Sequence, residues 1–130
     1  MGYSHYWQGL VPSYSPELHS AVAFIFADAA KNNVELGAWH GMGGNPVNDE
    51  VEISFNGVNV RGETFTVIYG QSVSLNFCKT GQEDYDTSVV AVLDVLRHFG
   101  KGEFVWSSDG AEMELEEGRS LACLAIMVRA

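Results

Sequence analysis

The sequence predicts an α+β fold: a single domain over residues 1–130, with a mainly antiparallel sheet and about three helices packed on one face of it. Two segments, starting at Ser15-Pro16 and near Ser88, repeat apolar residues at helical spacing behind capping residues. Between them, short runs alternate apolar with polar residues and are broken by Asn-Gly, Gly and polar loops, as antiparallel strands are. A chain of 130 residues buries about two-thirds of its surface, enough for one core and too little for two.

Tyr3 to Leu10 is short and aromatic-rich, and Tyr3, His5 and Trp7 alternate with Ser4, Tyr6 and Gln8, so the first three share one face of a strand. Ser15-Pro16 starts a helix, because the hydroxyl caps free amides and proline is tolerated at the first helical position. The helix runs from Pro16 to about Asn32, with Leu18, Val22, Ile25 and Ala29 on its apolar face and Glu17, Asp28 and Lys31 in water. Val34 to Trp39 is a candidate strand, ended by Gly41-Met42-Gly43-Gly44-Asn45-Pro46. Val51, Ile53 and Phe55 alternate with Glu50, Glu52 and Ser54. The Asn56-Gly57 that follows favours the positive φ of a type I′ turn, so Val58 to Val60 is expected to return as the hairpin partner.

Thr64 to Tyr69 is β-branched and aromatic, and Val73, Leu75 and Phe77 alternate with Ser72, Ser74 and Asn76, which extends an antiparallel meander. Ser88 to Phe99 reads as a helix with Val89, Leu93 and Leu96 on one face, a cap from Asp86 or Thr87, and Gly100 beyond its end. Arg97 and His98 lie near its negative pole. Phe104 to Trp106 is a strand, Asp109-Gly110 a tight turn and Met113 to Leu115 its return. The segment from Gly118 to Arg129 gathers Leu121, Leu124 and Val128 on a last helix.

Seventeen acidic against seven basic residues give a net charge of −10, which repels nucleic acid and anionic membrane in general. The longest apolar stretches, Ala21 to Ala27 and Leu121 to Val128, are far shorter than the ~20 residues that span a bilayer. Glu103, Asp109, Glu112, Glu114, Glu116 and Glu117 follow one another with no Lys or Arg between. They form either a solvated face, a docking surface for a basic partner, or a mimic of nucleic acid. Cys78 and Cys123 make no disulfide framework, the N-terminus lacks a secretory pattern, and Tyr6 stands where a myristoylation signal has Ser or Thr; the expected location is the cytoplasm.

His5, flanked by Tyr3 and Trp7, reads as part of a pocket wall or as a packed core histidine. His19 lies on the first helix, His40 borders the glycine loop, and His98 is explained by a helix end. H-E-x-x-H, C-x-x-C and the zinc-deaminase pattern are absent, so neither metal nor cofactor is expected. Cys78-Lys79-Thr80 ends a strand, where Lys79 would depress the thiol pKa or bind an anion; strand alternation equally allows a buried, inert Cys78. Glu83, Asp84, Tyr85 and Asp86 offer carboxylates for acid or base work, or a helix cap with exposed charge. Gly41 to Gly44 matches no phosphate-binding loop, Ser107-Ser108-Asp109-Gly110 is first of all hairpin chemistry, and G-x-S-x-G is missing. No catalytic template is complete, which leaves Cys78, His5 and Asp86 as catalytic candidates.

Met1-Gly2-Tyr3-Ser4-His5-Tyr6-Trp7, Phe55-Asn56-Gly57, Glu63-Thr64-Phe65, Phe77-Cys78-Lys79-Thr80 with Tyr85-Asp86, and Ser107-Ser108-Asp109-Gly110 are specific as a set. With them the chain resembles, over about residues 1 to 110, a family of small uncharacterised bacteriophage and prophage proteins. Gly62 departs from the histidine expected before Glu63-Thr64-Phe65. The resemblance implies a setting, the host-cell cytoplasm, and no reaction.

The first expectation is an accessory protein that binds, and so sequesters, a small polar ligand such as a nucleotide or a nucleotide-derived signal of host defence. Tyr3, His5, Trp7, Lys79, Thr80 and Asp109 would line the pocket, with aromatics stacking on a base and Lys79 meeting phosphate. The alternatives are a small enzyme using Cys78 or the pair His5 and Asp86, and a protein whose acidic Glu103 to Glu117 surface blocks a host protein. A homodimer is expected by analogy with phage proteins of this size.

Overall fold

The hydroxyl of Ser15 accepts a hydrogen bond from the Leu18 amide at 3.2 Å and starts α1 over Pro16–Lys31, whose buried stripe is Leu18, Ala21, Val22, Ile25 and Ala29. The computed structural model describes residues 3–38 and 44–128, so Trp39, His40 and Gly41 to Gly43 lie outside the described residues. Among the described residues, three helices and seven strands form an α+β fold, in the order β1 (Ser4–Leu10), α1, β2 (Leu36–Gly37), β3 (Val47–Asn48), β4 (Glu52–Gly57), β5 (Phe65–Ile68), β6 (Ser72–Lys79), α2 (Asp86–Gly100), β7 (Phe104–Ser108) and α3 (Glu112–Met127).

The strands divide between two antiparallel sheets. In the first, of order β6-β1-β7, the N-terminal strand is central, with His5 opposite Cys78 and Ser108. In the second, β4 pairs with β2, β3 and β5. The meander expected from the sequence therefore breaks after β5, because β6 crosses to pair with β1. Gly9 makes a close approach possible: its φ is +105°, and a Cβ there would lie 2.0 Å from the Glu103 carbonyl oxygen, which accepts from the Leu10 amide at 2.8 Å.

Asn56-Gly57 is not the predicted turn. Both residues extend β4, the positive φ falls on Asn59, and the hairpin partner is β5 rather than Val58 to Val60. The Asn56 amide is occupied, its oxygen accepting from Gly57 N at 2.8 Å and its nitrogen donating to Thr64 Oγ1 at 3.1 Å. Glycine stands at 57 because a Cβ would come within 2.9 Å of the Tyr85 ring.

The helix α2 is buried almost all round, from Ser88 to Leu96 apart from Asp94, because α1, α3, β1 and β7 enclose it; the single apolar face predicted for it is too narrow. Neither Asp86 nor Thr87 caps it: Tyr85 holds the N-cap position without a side-chain bond, and Asp86 is the first helical residue. Gly100 is still helical, and Lys101 takes the left-handed conformation at φ 49°. Met113 to Leu115, predicted as a returning strand, lies in the first turns of α3, which the Glu114 carboxylate stabilises by accepting from Ala111 N at 2.7 Å.

Candidate functional site

Three elements meet where β6 ends and α2 begins. His5 is on the inward face of β1 and fully buried, with Nε2 2.6 Å from Asp86 Oδ1. The Thr80 hydroxyl, also fully buried, donates to the same carboxylate oxygen. The β1–β6 register places Thr80 just past the strand. A tight loop with positive φ at Gly81 and Gln82 then turns the chain, so that Asp86 enters α2 facing back at His5. As the first residue of α2, Asp86 also carries its charge at the positive pole of the helix. His5 Nδ1 is buried with no hydrogen-bond partner among the described residues, so the ring is held through Nε2 alone. Tyr3 and Trp106 stand in T-shaped contact with the His5 ring, with centroids at 5.4 Å and 6.3 Å.

In front of Asp86 is a cleft of about 470 Å³, shared by the β6–α2 loop, the end of α1 and the first turns of α3. Among the described residues, six carboxylates line it (Asp28, Glu83, Asp84, Asp86, Glu114 and Glu117), together with Tyr3, and no Lys or Arg does. Gln82 Nε2 donates to Glu114 Oε2 at 2.8 Å and ties the loop to α3. Burial raises the pKa of the Tyr3 hydroxyl, and the negative charges of Asp86 and Glu114 raise it further, so Tyr3 remains a neutral donor. Gly110 leaves room for that hydroxyl: a Cβ there would lie 2.3 Å from it, and Gly110 has no positive φ, so its role is clearance and not the expected tight turn. An apolar hollow of about 410 Å³, between α1 and β2 and walled by Phe26, Ala30, Leu36 and Pro46, holds none of these groups.

Of the residues expected to line a pocket, Tyr3 reaches the cleft, and His5 and Thr80 stand directly behind Asp86. Trp7 does not line it. It is 2% exposed and packs in the core against Phe65 at 5.1 Å, because the face it shares with His5 is covered by β5 as well as by the helices. Lys79 is exposed, and alternation along β6 turns it away from Cys78. Asp109 lies on the other side of β1, where its carboxylate accepts from Ser4 N at 3.0 Å and Tyr6 Oη at 3.2 Å.

Cys78 is fully buried and its thiol donates to the Glu63 carbonyl at 3.3 Å. Burial, and then the Glu63 charge, push the thiol pKa up to about 12, the reverse of the depression expected from Lys79. His5 and Asp86, the other catalytic candidates, are in direct contact.

Asp28, Gln82, Glu114 and Glu117 are cleft residues that the sequence reading did not assemble. Glu114 and Glu117 are three apart and share a helical face, a signal hidden by reading Met113 to Leu115 as a strand. The acidic run is thereby split: Glu114 and Glu117 face the cleft, whereas Glu112 pairs with Arg119 at 2.8 Å on another side of α3. Among the described residues, no group of three or more His, Cys, Asp or Glu side chains is arranged to hold a metal ion, and no helix is long and apolar enough to cross a membrane. No family model matches the chain, and neither the curated proteins nor the solved structures contain a match to it.

Proposed function

We propose that this chain is a small phage-type accessory protein whose cleft binds a polar ligand with a cationic or donor-rich face, in the host-cell setting that the resemblance implies. The observation that carries the reading is Asp86. Its carboxylate is fixed from behind by buried His5 and Thr80 while it lines an open cleft with five other carboxylates and Tyr3. Fixing an acceptor before the ligand arrives lowers the ordering cost of binding. Phosphate fits the lining poorly, because six like charges oppose it and Lys79 is not among the lining residues. A ligand derived from a nucleotide would therefore enter by its base and amino groups, stacked near Tyr3, with its phosphates outside. An amine, amidine or guanidine matches the cleft directly.

Thermal unfolding in the presence of spermidine, agmatine, adenosine, AMP and chloride salts tests the proposal, since a ligand of the folded state raises Tm by mass action. Saturable stabilisation by an amine at fixed ionic strength, abolished by Glu114→Gln with Glu117→Gln, is the expected result. Stabilisation by AMP that exceeds that by adenosine and by either amine would overturn it.

The His5–Asp86 contact favours a second reading, general acid–base chemistry. In that case the reacting group is Asp86, which lines the cleft, and His5 positions it from the buried side. Cys78 fits no such role, because at neutral pH it is a buried thiol and not a thiolate.

A further inference from the structure

The pattern of β6 is at odds with its surroundings. Val73, Leu75 and Phe77 alternate with polar residues as core positions do, yet Leu75 is 64% and Phe77 55% exposed. They face outward because the register His5↔Cys78 turns Cys78 into the core and its neighbours away from it. The outer face of the first sheet has three rows. Phe77, Tyr6 and Ser107 are level across the strands by register. Leu75, at the irregularity between Trp7 and Gly9, stands with Gln8 and Val105, which is 46% exposed. Lys79 and Asp109 flank Ser4 at the end of the face. The two apolar rows contain no charged side chain although the chain carries −10, and among the described residues no carboxylate pairs with the Lys79 ammonium.

We propose that a second copy of this chain covers the face, packed sheet to sheet about a two-fold axis parallel to β1. That operation lays β6 of one protomer over β7 of its partner and leaves each row level with itself. Phe77 then stands over Ser107 of the partner subunit, large over small; Leu75 stands over the partner's Val105; and Lys79 meets the partner's Asp109, with each pair occurring twice. Tyr6 and Gln8 meet their own copies on the axis. Face-to-face sheets pack about 10 Å apart, within reach of a lysine and an aspartate from opposite sides. Identical chains of charge −10 repel one another over most of their surface, so a face with neutral rows and a reciprocal charge pair is where they can meet. Three short strands make a small interface, below the usual ~800 Å² per partner, so the dimer is a dissociating one.

Sedimentation velocity over about 1 to 300 µM tests this, a range that brackets the affinity of a small interface. The wild type is expected to pass from monomer to dimer with concentration. Phe77→Asp and Leu75→Asp are each expected to remain monomeric with an unchanged unfolding transition, since both side chains are exposed in the protomer. Lys79→Glu is expected to weaken association by about tenfold, the consequence of opposing the partner's Asp109 with a like charge. Met113→Asp, on α3 and 81% exposed, is the control that leaves the dimer intact. A wild type that is monomeric throughout, a dimer that survives Phe77→Asp, or a dimer lost with Met113→Asp would each overturn the proposal.

Discussion

Removing the Asp86 carboxylate tests whether the cluster behind the cleft is held as described. Asp86 Oδ1 is the acceptor for two fully buried donors, His5 Nε2 and Thr80 Oγ1. In Asp86→Ala both donors lose it, and an unsatisfied buried polar group costs about 1–3 kcal/mol, so the pair amounts to roughly 2–6 kcal/mol. Two smaller effects oppose each other. Loss of a negative charge at the start of α2 costs about 0.3–1 kcal/mol, and relief of repulsion from the other cleft carboxylates returns a similar amount. Asp86→Asn keeps one acceptor oxygen and is expected to cost only about 1 kcal/mol, the difference between charge-assisted and neutral hydrogen bonds. Thr80→Val, which leaves the carboxylate bonded to His5, is expected to cost about the same. Urea unfolding followed by circular dichroism at pH 7 resolves these values, because a slope of about 1–3 kcal/mol per molar turns 2–6 kcal/mol into a midpoint shift of about 0.7 M or more. Equal stabilities for Asp86→Ala and Asp86→Asn would refute the reasoning, since they would show that the two donors do not depend on this oxygen.

Gly62→Ala places a Cβ 2.0 Å from the Tyr85 hydroxyl and 2.5 Å from its ring edge, and that hydroxyl donates to the Glu63 carbonyl. Shifting a fully buried tyrosine and breaking its bond is expected to cost about 2–4 kcal/mol, seen as a fall in Tm of roughly 10 °C; a change within about 2 °C would show that the ring has room to move. At pH 8, dithiobis(nitrobenzoate) is expected to label exposed Cys123 and spare Cys78 until urea unfolds the chain, so Cys123→Ser should leave the native protein unreactive. The thiol of Cys78 is raised from 9.0 to about 12, so above pH 9 the unfolded chain releases a proton that the folded chain retains. Its stabilising contribution is fully present below pH 9 and is lost by about 1.4 kcal/mol per unit as pH climbs toward 12; Cys78→Ala should make the alkaline fall in stability shallower, and an identical fall in both proteins would contradict the burial of the thiol.

The sequence by itself determined what depends on neighbours along the chain. Ser15-Pro16 specified the start of α1, period-two alternation put His5 inward on β1, and Arg97 and His98 marked the last turn of α2. Local signals failed where a residue serves a distant contact. A glycine that supplies a positive φ and one that clears space for a ring look alike in sequence, and Gly57, Gly62 and Gly110 are all of the second kind, under Tyr85 or Tyr3. The glutamates of Met113 to Leu115 and its flanks suited an exposed strand as well as a helix until Glu114 bonded Ala111 and Gln82.

His5 and Asp86 were both candidates, yet only the pairing of β1 with β6 and the turn after Thr80 bring residues 81 positions apart to 2.6 Å. Asp28 of α1 and Glu114 and Glu117 of α3 joined the cleft only when those helices packed around α2. Backbone propensity and capping act over a few residues and can be read in order. Which carboxylates share a cleft, and which face of β6 meets water, depends on strand register and helix packing, and these are fixed by burial summed over the whole chain.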